Sequence, residues 1–196
     1  MPARIIKKRV RFFLAVEGES EQSFVRWLQL LSDDRTSIHL DSYPLGGGGF
    51  KSMIETAVRL YDKQSKSKGS YRERFLIIDG DRLDSQDWSL NKLKEETERQ
   101  KFILIVQRPN HEGLLYRMIP GKERDVPTGT LAASKLKAGW PTYQKPSNAH
   151  VLSGRFSFDD LLRLAKVDAD LENLLTQIGL MCPKQPKLAK RSQKIK

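Results

Sequence analysis

Apolar runs of strand length alternate with segments of helical period along the first 119 residues, and this alternation restricts the fold more than any other feature of the chain. Residues 10–16 read as a buried strand. The segment after it places Phe24, Trp27, Leu28 and Leu31 at the i, i+3, i+4, i+7 spacing of one helix face. Residues 38–43 form a weaker strand. The glycine run 46–49 then breaks the chain before a second helix with Met53, Ile54, Ala57, Val58 and Tyr61 on one side, and residues 63–70 read as a polar loop. The short, wholly apolar run 75–78 has the character of a central parallel strand covered on both faces. Leu90, Leu93 and Thr97 mark the helix after it, residues 102–106 a fourth strand, and residues 112–119 a fourth helix. Strand and helix in strict alternation predict an α/β fold: a Rossmannoid, mainly parallel four-stranded sheet flanked by helices.

Beyond Pro120 the pattern changes. Residues 120–145 are rich in Gly, Pro, Thr and Lys with little periodicity and read as loop and short helix. Residues 158–165 and 168–179 then read as two helices, the second with Leu171, Leu174, Leu175 and Ile178 on one face and Asp168 at its start, where negative charge is favoured. The expected organisation is a core over 1–119, a loop-and-helix extension over 120–182 packing back on it, and a disordered basic tail over 183–196.

A chain of 196 residues with 38% apolar side chains can build a substantial core. Its formal net charge of +11 favours phosphate-rich partners. The single cysteine, Cys182, excludes an intrachain disulfide and a cysteine-based zinc site. No apolar run approaches the ~18 residues that cross a bilayer, and the basic start of the chain lacks the apolar stretch of a signal peptide, so no membrane partner and a cytoplasmic location are expected.

Against that basic background two acidic clusters stand out. Glu17, Glu19 and Glu21 follow the first strand, and Asp79, Asp81 and Asp84 follow the third. In parallel sheets ligands bind beyond the carboxyl ends of the strands, which is where both clusters fall. Gly18 and Gly80 allow the turns that bring the flanking carboxylates toward one crevice. Oxygen ligands without cysteine favour Mg²⁺ or Mn²⁺ over zinc. Carboxylates at a helix N-terminus also arise for purely electrostatic reasons, and that reading stays open for Glu19 and Glu21. The glycine run lacks a following Gly-Lys-Ser/Thr and reads as a linker rather than a phosphate loop.

The sequence Glu17-Gly18-Glu19-Ser20-Glu21 at one strand end and Asp79-Gly80-Asp81 at another resembles the Toprim domain of topoisomerases, bacterial primases and OLD-type nucleases, over roughly residues 9–119. Within that superfamily the stretch from Val16 to Leu28, the Asp79 to Ser85 segment and Pro109 to Glu112 are most similar to RloB-like proteins of bacterial and archaeal defence loci. The resemblance implies a Toprim-like sheet and a metal-dependent nuclease acting on DNA or RNA in phage defence, with an operon-encoded ATPase as a further partner. It implies Glu17, Glu21, Asp79, Asp81 and Asp84 as metal ligands, with Glu17, Asp79 and Asp81 central to catalysis. Glu112 matches a further family glutamate, although Arg108-Pro109-Asn110-His111-Glu112 stands where Asn-Pro-x-Phe-Glu is expected. That departure draws attention to His111, which as a lone histidine is otherwise expected to be incidental.

Arg82 and Arg108, at the mouths of the central strands, are candidates for neutralising charge on a phosphodiester in the transition state, with salt bridging as the competing role. Lys135, Lys137 and Lys145, with Lys187, Lys190 and Arg191 of the tail, are candidates for holding a nucleic-acid backbone. Trp140 and Tyr143 are expected in the core rather than stacked on bases. Two alternatives remain: a non-catalytic nucleic-acid-binding subunit of the same fold, and another Mg²⁺-dependent phosphotransfer enzyme. A phosphatase of the Asp-x-Asp type would need an Asp where the first strand delivers Glu17.

Overall fold

The computed structural model describes residues 9–84 and 88–182, apart from the side chain of Asp84. Its elements run β1 (Val10–Val16), α1 (Glu19–Asp33), β2 (Ile38–Pro44), α2 (Phe50–Lys68), β3 (Glu73–Asp79), a 3-10 turn (Gly80–Asp84), α3 (Leu90–Arg99), β4 (Ile103–Gln107) and α4 (His111–Met118). Four further helices follow: α5 (Gly129–Gly139), α6 (Ala149–Arg155), α7 (Phe158–Ala165) and α8 (Ala169–Gln177). The four strands form one all-parallel sheet in the order β2-β1-β3-β4, so the α/β fold expected from the alternation is the fold observed.

Period-two alternation sends successive side chains to opposite faces, and both faces are dry. Phe12, Leu14, Phe75, Ile77 and Ile105 face a core shared with α1, α4 and the C-terminal helices, through residues such as Trp27, Leu115, Leu152 and Leu175. Phe13, Ala15, Leu76, Ile78 and Val106 face a second core built with α2 and α3 through Met53, Ile54, Ala57 and Leu93. The chain steps from β1 to β2 in one direction and from β2 through β3 to β4 in the other. Right-handed crossovers therefore put α1 on one face and α2 and α3 on the other. The reversal falls between β1 and β3, and a crevice opens at such a switch point beyond the strand ends.

Several boundaries differ from the sequence expectation. Residues 63–70 are not a loop: α2 continues to Lys68 and stops at Gly69, whose φ of 87° ends the helix. Apolar periodicity is lost after Tyr61 because the last two turns lie against polar partners. Lys68 Nζ bonds Asp41 at 3.1 Å and the Tyr43 hydroxyl at 2.9 Å, and lysines near a helix C-terminus are favoured by its dipole. The stretch 120–145, read as loop and short helix, does contain a short helix, α5, whereas α6 had no sequence signal because it is a seven-residue helix that buries only Leu152. The extension packs onto the α1 face, and its Leu136, Trp140, Phe156 and Leu174 belong to the same core as Phe12 and Leu14. Within that core Arg117 of α4 and Asp168, the N-cap of α8, form a buried ion pair at 2.6 Å. Among the described residues no helix is long and apolar enough to cross a membrane. The tail over 183–196, with Lys187, Lys190 and Arg191, lies outside the described residues.

Candidate functional site

The register of β1 against β3 pairs Val16 with Ile77, so Glu17 and Asp79 leave neighbouring strands at almost the same height. Glu17 holds that position through both strands: its backbone N–H donates to Ile77 O at 3.1 Å, and its Oε2 accepts the backbone N–H of Asp79 at 3.2 Å. Its Oε1 is paired with the guanidinium of Arg82, which also donates to Gly48 O. Together with a Gly47 N–H bond to Glu17 O at 3.3 Å, this draws the glycine run against the site. The run is thus a wall of the crevice rather than the expected linker, and positive φ values at Gly46, Gly47 and Gly48 account for its composition.

Glu21 sits in the first turn of α1 and reaches back to accept the Gly18 N–H at 2.8 Å, the reciprocal half of a capping box. Burial pushes its carboxyl above the ordinary range. Glu19, on the same turn, is exposed at the rim. Asp79 is the electrostatic centre. Burial is the largest cause, and the nearby carboxylates of Glu21, Glu17, Asp81 and Glu112 add to it, so that its pKa is pushed up to about 8. Its Oδ1 accepts the backbone N–H of His111 at 2.9 Å.

Residues 110–112, where α4 begins, meet the acids from the far side. Asn110 caps α4, its side-chain oxygen accepting the Gly113 N–H at 3.0 Å, while its Nδ2 donates to Asp81 Oδ2 at 2.7 Å. Asp81 is further located by its own N–H, which bonds Pro109 O at 2.7 Å, and by the backbone of Gly129 at the start of α5. Glu112 is buried, and the strap between α5 and α6 neutralises it. Lys145 Nζ lies 2.7 Å from its Oε1, to which the Tyr143 hydroxyl donates at 3.3 Å. Burial alone would raise the Glu112 pKa, but the Lys145 bond and charge outweigh it and hold the group below its ordinary value. Lys145 is raised in return: burial, the largest single effect, would lower it, but the bond to Glu112 and the charges of Glu112, Asp79 and Glu21 together outweigh burial.

The result is an open cleft of about 370 Å³ with Glu17, Glu21 and Asp79 on one side, Gly46 and Gly47 on another, and Lys145 across from them. Of the residues singled out in the sequence, Glu17, Glu21, Asp79, Asp81, Arg82, Glu112 and Lys145 are brought together here. The Asp84 side chain lies outside the described residues. Arg108 turns away and pairs with Asp170 beside α8 at 3.5 Å. Lys135 pairs with Asp125 at 2.9 Å and Lys137 is exposed on α5, so neither touches the acids. Trp140 and Tyr143 are buried, 5.3 Å apart between ring centroids. His111 is not a surface residue but 2% exposed, its pKa pulled down to about 4 by burial. Asn110 was missed as a functional residue, although a helix N-cap two residues before Glu112 was a readable signal.

Among the described residues, no three His, Cys, Asp or Glu side chains are already gathered as a ready-made metal cluster. The donor chemistry nevertheless fits a hard divalent cation. Asp79 is buried among other carboxylates, and Glu17, Glu21, Asp79 and Asp81 offer oxygen donors alone. No protein-family model matches this chain, and comparison with curated proteins and with solved structures gives no match either.

Proposed function

We propose that the protein is a divalent-metal-dependent nuclease, a hydrolase of DNA or RNA phosphodiesters resembling the RloB-like members of the Toprim superfamily and serving in phage defence with an ATPase partner. The observation that carries the reading is the Asp79 carboxyl, set at the switch point of a parallel sheet among four other acids and faced by Lys145 across an open cleft. Glu17, Glu21, Asp79 and Asp81, with Asp84, would hold one or two Mg²⁺ or Mn²⁺ ions. A bound ion supplies an activated water and charge stabilisation on the leaving oxygen.

The chain's own residues do the rest. Glu17 is fixed by Arg82 and by the Asp79 N–H, Asp79 by the His111 N–H, and Asp81 by Asn110, so three of the acids are oriented before any substrate arrives. Lys145, about half exposed, presents its ammonium to the cleft while Glu112 and Tyr143 keep it there. A cation so placed meets a non-bridging phosphate oxygen where negative charge develops. The net charge of +11 on the chain attracts the polyanion.

The test is cleavage of labelled single- and double-stranded DNA and RNA with Mg²⁺ or Mn²⁺, comparing the wild type with Asp79→Asn. Cleavage that needs the metal and disappears in the variant, with binding retained, supports the reading. A second reading, a binding subunit without catalysis, has its own support: Glu17 and Glu112 already carry cationic partners in Arg82 and Lys145. Nucleic-acid binding with no cleavage under any metal would favour it.

A further inference from the structure

We propose that His111 is a nitrogen ligand of the cation site, and that the site therefore takes a first-row transition ion, Mn²⁺ in the first instance, in preference to Mg²⁺. The inference rests on the metal-dependent reading above and adds to it the identity of the ion.

His111 is the first residue of α4, and its backbone N–H is committed to Asp79. Its ring is 2% exposed and lies edge-on to Phe24, with 6.1 Å between centroids and 79° between planes. Nδ1 of that buried ring has no hydrogen-bond partner. The atom it faces is Glu21 Oε1 at 3.8 Å, beyond hydrogen-bond reach. The carboxylate is not free to swing in and close the gap, because its other oxygen accepts the Gly18 N–H at 2.8 Å. A buried polar atom left without a partner costs about 1–3 kcal/mol, so its persistence calls for a specific reason.

A cation accounts for it. In the tautomer that carries its proton on Nε2, the unpartnered Nδ1 has a lone pair to offer. The site brings together one imidazole nitrogen and the carboxylate oxygens of Glu21 and Asp79, at the start of α1 and α4 and the end of β3. Mg²⁺ holds its waters and prefers oxygen donors, whereas an imidazole in the set suits Mn²⁺ and its first-row neighbours. A purely packed histidine would have no need to turn an unsatisfied nitrogen toward a buried carboxylate that it does not reach.

The experiment is three-pulse electron spin-echo spectroscopy of Mn²⁺ added to the untagged, full-length protein, with Mn²⁺ and Mg²⁺ affinities measured by calorimetry. The chain has three histidines, His39, His111 and His150. Nitrogen-14 modulation is expected in the wild type and in the His39→Gln, His150→Gln double variant, where His111 alone remains. In His111→Asn the modulation is lost and Mn²⁺ binds at least about tenfold more weakly, with Mg²⁺ affinity nearly unchanged. The double variant keeps the test decisive if His111→Asn does not fold. Mn²⁺ bound without nitrogen modulation, or modulation that vanishes in the double variant, overturns the proposal while leaving the metal-dependent reading intact. Absence of any bound Mn²⁺ overturns both.

Discussion

Asp79→Asn should stabilise the metal-free protein, and increasingly so as the pH rises. In the folded chain the Asp79 pKa is about 8, against an ordinary value of 3.8. Between those two values the unfolded state binds fewer protons than the folded state, so the Asp79 contribution to stability falls as pH rises through that window and is fully lost above about pH 8. At ~1.4 kcal/mol per unit, the shift is worth on the order of 6 kcal/mol at most, and relaxation of the neighbouring carboxylates and solvent entry leave roughly half, about 3 kcal/mol. An asparagine keeps the oxygen that accepts the His111 N–H and removes the charge. Melting in the presence of a chelator from pH 4 to pH 9 should therefore show two curves that start close together and diverge by about 6–12 °C at the alkaline end, given ~2–4 °C per kcal/mol for a chain of this size. His111, whose pKa is lowered to about 4, adds stability as pH rises through 4–6.5, but it does so in both proteins and cancels in the difference. Parallel curves from pH 4 to pH 9 would refute the claim that burial among neighbouring carboxylates raises the Asp79 pKa.

Lys145→Met should reduce single-turnover cleavage by about 100-fold while leaving the fold intact, since Lys145 is half exposed and its ammonium faces the cleft. Arg117→Ala leaves Asp168 buried without its cation and should lower stability by about 3–5 kcal/mol in urea titrations, an ion pair that is far from the acids and purely structural. Gly129→Ala would bring a methyl group to 2.7 Å from Asp81 Oδ2, so calorimetry should show weakened metal binding together with about 1–3 kcal/mol of destabilisation. Truncation after Cys182 removes the basic tail and should flatten the salt dependence of nucleic-acid binding without moving the cleavage position; equal slopes would exclude a phosphate-holding role.

The strands and the helices between them were readable because both faces of the sheet are dry. Phe12 to Val16 and Phe75 to Ile78 are buried without interruption, and that leaves an unmistakable apolar signature. The last turns of α2 were not readable, because Lys66 and Lys68 are selected there by the helix dipole and by Asp41 rather than by a core. At the site, the position of Glu17 and Asp79 followed from strand ends alone. The neutralisation of Glu112 did not, because it depends on Lys145, brought from 33 residues along the chain by the packing of Trp140 and Tyr143. Arg108 shows the same limit in reverse: adjacency to a strand end suggested a place in the cleft, and the partner that decides its direction, Asp170, belongs to an element whose position no local pattern encodes. His111 looked incidental because burial of a polar ring is a tertiary property.

The strap carrying Tyr143 and Lys145 has a consequence for how this protein can be divided. A chain ending at residue 119 would contain the whole sheet and every site acid, yet it would strand Glu112 and Arg117 as interior charges facing solvent-flooded apolar surface, and it would uncover Asp81 where Gly129 now lies. The acids and their counter-charge are therefore a single inheritable unit: shuffling the sheet onto another helical cap, or grafting this cap elsewhere, separates Glu112 from the lysine that neutralises it.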